Sequence, residues 1–180
     1  MLKWLIRRKI AAFERSLGYD ASYMREVLDT DLAAFLRVAR LQGMSDYRKD
    51  VPRDVWYAVK VIGAMAEDCG PCTQLCVTMA LADGVDPRVL AAVVENRDVP
   101  ADVRLGVRFA RAVLAHSPDA DGAREDIVGL WGKRALVSLA FALTSARLYP
   151  TLKYALGYGK TCQRIVVGET VAMRPIEAHA

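Results

Sequence analysis

A chain of 180 residues, 53% hydrophobic and 26% charged, has globular rather than disordered composition and is long enough to bury a core without disulfide staples. Its net charge of +4 is unevenly placed: residues 1–15 carry five Lys/Arg against one Glu, residues 131–180 carry seven against two, and residues 16–130 hold 13 basic and 18 acidic residues. With no basic-aromatic motif, this split excess argues against nucleic acid, although either end is able to meet an acidic partner. The start, MLKWLIRRKI, has only WLI before three cations and does not resemble a secretory leader. No window reaches the ~18 uninterrupted apolar residues of a membrane span. The sequence thus predicts a cytoplasmic chain without a transmembrane segment, where thiols stay reduced unless chemistry requires otherwise.

Apolar spacing is helical almost throughout. Ile6, Ile10, Phe13 and Leu17 predict an amphipathic helix over 3–17 that ends at Gly18 and docks on its own domain or a neighbouring subunit, or lies on a membrane surface. Asp20 opens a second helix toward Gly43, and the polar stretch GMSDYRKD separates an N-terminal helical arm (1–50) from the main body (51–157). Pro52 starts a third helix, whose stripe Val51, Val55, Val59, Ile62, Ala66 leads to Cys69 and whose other faces carry Trp56, Tyr57 and Met65. Such a helix is expected to be buried nearly all round. Pro71 restarts the chain as a helix ending at Gly84, Asp86-Pro87 begins a short one through Glu95, and Pro100 begins another that stops before Pro118. A further helix covers about 121–131. The last runs from Lys133 to Pro150, where proline must kink or stop it. Beyond Gly157 lies a tail (158–180) in which RIVVGETVA either forms a small strand pair or docks irregularly. The expected fold class is all-α, a single helical domain with an N-terminal arm.

The chemistry concentrates at EDCGPCTQLC, residues 67–76. Two cysteines three apart close a small disulfide ring across one helical turn. If Pro71 lies in the first turn, Cys72 sits beside unpaired backbone N–H groups and the positive end of the helix dipole, both of which favour the reactive thiolate. Gly70 allows the tight turn before the helix. The competing chemistry is metal binding, since Cys69, Cys72 and Cys76 share one helical face, but no second CxxC or paired histidine supplies the remaining ligand. Cys162 suits packing, while Cys76, one turn into an apolar helix, suits packing and chemistry equally. His116 falls where a helix C-terminal cap is expected. Lys60 and Arg147, in apolar helices, suit snorkelling or ion pairing, with a counter-charge at a site as the other possibility. No cofactor is implied.

Thioredoxin carries the same CGPC tetrapeptide, but after a strand, whereas a long helical pattern precedes it here. From Pro52 to Gly157, the helix entering CxxC and the segments ALADGVDPRVLAAVVE, RLGVRFARAVLAHSP and RALVSLAFALTSARLYPTLKYALG resemble the alkylhydroperoxidase-D-like branch of the carboxymuconolactone decarboxylase superfamily. The resemblance implies an all-helical homo-oligomer that reduces a hydroperoxide or a disulfide. In it Cys72 would be the peroxidatic thiol and Cys69 the resolving one, with a dithiol or lipoyl-bearing protein as reductant. The family's relay uses a histidine four residues after the second cysteine and a glutamate twelve before the first. This chain has Cys76 and Tyr57 there, so Cys76 would serve as a third redox thiol and Glu67 or Asp68 as a substitute base. The alternative is a non-catalytic oligomeric helical module whose cysteines sense redox state or bind metal.

Overall fold

A computed structural model describes residues 1–160 and 164–173. The described residues are helical apart from one two-stranded hairpin. Helix α1 (Leu2–Leu17) stops at Gly18, as its sequence predicts. The single helix expected over 20–43 is instead three: α2 (Ser22–Thr30), α3 (Leu32–Arg40) and α4 (Gln42–Ser45). The break falls at Asp31, whose extended backbone (φ −152°, ψ 116°) lets its carboxylate accept from the Ala33 amide at 2.8 Å. A short acidic side chain that can cap the next helix competes with continuing the last one, and here capping wins.

Helix α5 (Arg53–Ala66) is the axis of the main body and packs against α6 (Gly70–Ala82), α7 (Pro87–Val94), α8 (Ala101–Leu114) and α9 (Asp119–Ala155). Every residue from Val55 to Ala64 is buried, as expected from its apolar faces. Close approach is bought with small residues. A Cβ on Gly106 of α8 would lie 2.6 Å from Val55 Cγ1, so only glycine allows α8 to sit this near. The two helices predicted on either side of residue 132 form a single run, α9, broken at Gly132 (φ 82°, ψ 172°), a conformation open mainly to glycine. Pro150 does not end that helix, which continues to Ala155.

By length and composition α9 is the one helix among the described residues long and apolar enough to cross a membrane. Its inner face, with Ala135, Leu139, Ala142 and Leu143, belongs to the core. The described part of the C-terminal region is not loose chain. Strands β1 (Arg164–Val167) and β2 (Thr170–Met173) pair antiparallel, with Ile165 opposite Ala172, and bury Ile165, Val167 and Ala172 in the main core. The side chain of Gln74 anchors the hairpin, donating to the Val166 carbonyl at 2.9 Å and accepting from its amide at 2.8 Å. The arm forms a second core around Ile10, Tyr19, Tyr23 and Leu28, seated on Leu75 of α6 and Leu152 of α9.

Candidate thiol site

The CxxC segment is a turn between two helices. After α5 ends at Ala66, Asp68 takes a left-handed conformation (φ 50°) and Cys69 an extended one (φ −99°, ψ 94°), so Cys69 becomes the N-cap of α6. Cys72 lies in the first turn of that helix, with Pro71 preceding it, as the sequence predicts. The turn is pinned from several sides. The Cys69 carbonyl accepts from the Thr73 amide at 2.9 Å and hydroxyl at 3.0 Å, the Gly70 amide donates to the Lys160 carbonyl at 3.2 Å, and the Tyr154 hydroxyl donates to the Asp68 carbonyl at 2.9 Å. Cys69 and Cys72 are joined as a disulfide with their Cα atoms 5.3 Å apart, inside the span such a bond requires.

The two sulfurs face different surroundings. Cys69 is fully enclosed, while Cys72 lines a cavity of about 80 Å³ between α5, α6, α9 and the arm. Cys76, Tyr57 and Lys60 line the same cavity; Tyr149 and Ser145 enter from α9, and Tyr19, Tyr23 and Ser45 from the arm. The arm therefore roofs the site, with the Tyr19 hydroxyl 3.9 Å from Cys72 Sγ. Lys153 lies over this roof, 4.7 Å from the Tyr19 ring and 5.5 Å from the Tyr23 ring.

Lys60 is the unusual group. It is 4% exposed, its ammonium donates to the Ser45 carbonyl at 2.8 Å and hydroxyl at 3.1 Å, and it sits 4.1 Å from the Trp56 ring centroid. Among the described residues no carboxylate lines the cavity. Burial holds the Lys60 ammonium below the ordinary lysine range, opposed by Cys76 and Asp46. Burial pushes the Cys76 thiol up, and the Lys60 charge pulls the other way. The tyrosines also rise through burial: Tyr23 to about 12, and Tyr19, Tyr57 and Tyr149 in the same direction. Burial depresses Lys153 as well. The cavity is thus a place where charge is costly and a single cation is retained.

The other candidates separate. Tyr57 and Cys76, where the resemblance placed a relay, both line the cavity that Cys72 opens onto. Glu67 does not line it. Its carboxylate accepts from Arg147 Nε at 2.6 Å and lies 3.0 Å from the Thr151 hydroxyl, which also reaches the Arg147 carbonyl at 2.8 Å. His116 takes a left-handed conformation (φ 52°) just past α8, the place of a C-terminal cap residue. Cys162 lies outside the described residues, among which no group of three or more His, Cys, Asp and Glu side chains gathers for a metal. Arg147 is ion-paired, as its position suggested. Lys60 is not snorkelling, and it pairs with no acid among the described residues. Its signal in the sequence was a lone cation in VWYAVKVIGAMA, a helix apolar on every side and so without a wet edge for the ammonium to reach. No family profile matches the chain, and no curated protein or solved structure matches it either.

Proposed function

We propose that this protein is a cytoplasmic thiol-dependent oxidoreductase that reduces a small hydroperoxide or a disulfide through Cys69 and Cys72. The observation that carries the reading is the paired CxxC at the start of α6 with only Cys72 opening onto a cavity that holds a buried cation. In the reduced form the Cys72 thiolate attacks the outer oxygen of a hydroperoxide. An S–O bond forms, the O–O bond breaks, and the alkoxide leaves as an alcohol after taking a proton. The Cys69 thiol then attacks the Cys72 sulfur and expels hydroxide, which leaves as water with the Cys69 proton, closing the disulfide. A dithiol donor of the lipoyl type returns two electrons by exchange at Cys72 and becomes a disulfide itself.

The helix terminus favours a Cys72 thiolate by typically 0.3–1 kcal/mol. Lys60 adds positive charge in the same cavity, where it would stabilise a thiolate or a leaving alkoxide. Neither replaces a positioned proton carrier, which typically adds ~10²–10⁴-fold in rate, so turnover should be slow. Assembly into a homo-oligomer belongs to the same proposal, supported by Leu130, Val137 and Phe141 exposed along α9.

The test follows consumption of a small organic hydroperoxide with excess dihydrolipoamide, and counts free thiols by mass spectrometry. Repeated turnover with reversible loss of two thiols supports the enzyme. A second reading, a redox-sensing module, is favoured by a cavity whose described lining holds no carboxylate or histidine. It predicts one stoichiometric oxidation without sustained turnover. Thiols inert to hydroperoxide and to disulfide reagents would exclude both.

A further inference from the structure

The first half of α1 is built differently from the second. Towards its C-terminal end the helix packs Ile10, Phe13 and Leu17 into the arm's core, and Ile10 is the only buried residue of the helix. Before that, Leu2, Trp4 and Leu5 are 52%, 58% and 50% exposed. Cations lie among them. Arg7 pairs with Asp29 at 2.6 Å and Lys3 donates to the Asp29 carbonyl, but the Arg8 guanidinium lies 4.9 Å over the Trp4 ring and meets no carboxylate among the described residues. Lys9 likewise has no acidic partner there, and Glu14, the helix's own acid, is engaged by Arg25 and the Ala21 amide. Leu2, Leu5, Arg8, Lys9 and Ala12 line one shallow groove on the helix.

We propose that this half-helix docks the protein on an anionic lipid surface. An interfacial helix sets Leu and Trp side chains at the boundary between headgroups and acyl chains, while Arg and Lys extend along their apolar stems to reach phosphate. Trp4 with Arg8 stacked on it, flanked by Leu2, Leu5 and Lys9, supplies both halves of that pattern. A second copy is a poorer occupant. A two-fold pairing would bring two copies of the same cation-bearing face together with no acid among the described residues of that face to offset them, and three part-exposed large side chains fall well short of the roughly 800 Å² per partner of a standard interface. A negatively charged bilayer neutralises the same cations and does not need that area. The inference is independent of the thiol chemistry.

The experiment is co-sedimentation of the full chain with vesicles of phosphatidylcholine alone or with phosphatidylserine added. Leu5→Glu and an Arg8→Gln/Lys9→Gln double variant are run alongside, with circular dichroism as a check on folding. Since these residues are exposed, the variants should fold as the wild type does. Binding is expected only with the anionic lipid, falling with salt, and weaker by about fivefold for each cation removed. Leu5→Glu should abolish it. Failure to sediment with phosphatidylserine vesicles overturns the proposal, as does equal binding to both vesicle types. A concentration-dependent dimer that Leu5→Glu dissolves would give the surface to a second copy and overturn it too.

Discussion

On the side of α5 that meets α8, Val55 and Val59 are fully buried among apolar neighbours, whereas Trp56, Tyr57 and Lys60 reach nearly the same depth on the side toward the arm and α6. One helix therefore carries two kinds of burial. Toward α8 no polar side chain among the described residues is enclosed, and the tolerance is set by volume. Toward the cavity the Trp56 indole must find the Tyr47 carbonyl at 3.2 Å, and the Lys60 ammonium must find Ser45. A buried cation with neutral partners is a poor way to stabilise a fold, and Lys60 lines the same cavity as the Cys72 sulfur and the Cys76 thiol, the kind of placing expected of a functional group.

Five substitutions test that division, in order of decreasing effect. Cys72→Ser should remove hydroperoxide consumption altogether, while Cys69→Ser should still oxidise once and hold a sulfenic acid that mass spectrometry detects; undiminished turnover in Cys72→Ser would move the chemistry elsewhere. Gly106→Ala places a Cβ 2.6 Å from Val55 Cγ1. It should cost about 1–3 kcal/mol, or roughly 2–4 °C in Tm for each of these at this chain length, with thiol reactivity intact. An unchanged melting temperature would mean that the apolar face is not packed as closely as described.

Lys60→Met should act in the opposite sense, slowing alkylation of the reduced cavity thiols while leaving Tm equal or higher. The pH dependence has a definite sign. Because the folded-state pKa of Lys60 lies below its unfolded value, the unfolded chain binds more protons between the two, and the penalty for burying the ammonium is complete only below the folded value. The stability advantage of Lys60→Met should therefore be greatest at neutral pH and shrink as pH rises toward about 10.4, the ordinary lysine value. The cavity tyrosines, pushed up, destabilise the fold at alkaline pH in both proteins, so thermal melts of the pair across pH report Lys60 together with its pull on Cys76. The smallest effect belongs to Glu67→Gln. It loses a part-exposed ion pair with Arg147, should cost below about 1 kcal/mol, and should leave thiol oxidation rates unchanged. A large loss of rate would restore Glu67 as a base.

Local chemistry alone determined the helical fold class, the stop at Gly18, the start at Asp86-Pro87, the break beside Lys133 and the placing of Cys72 in a first turn, because each depends on residues within one turn of itself. The same local rules missed the break at Asp31, where capping and helix continuation were both open to the chain and the Asp31 carboxylate caps α3 through the Ala33 amide. What surrounds Cys72 was settled at longer range. The arm brings Tyr19 and Ser45 to a cavity more than a dozen residues away in the chain, α9 brings Arg147 to Glu67 and takes that carboxylate away from the thiols, and β1 ties itself to Gln74 of α6. Helical periodicity tells which side of an element is apolar but not which element will cover it. A lysine in an apolar stripe looks the same in sequence whether its ammonium reaches water, an acid or a closed cavity, and the partner that decides between them is supplied only by the tertiary fold.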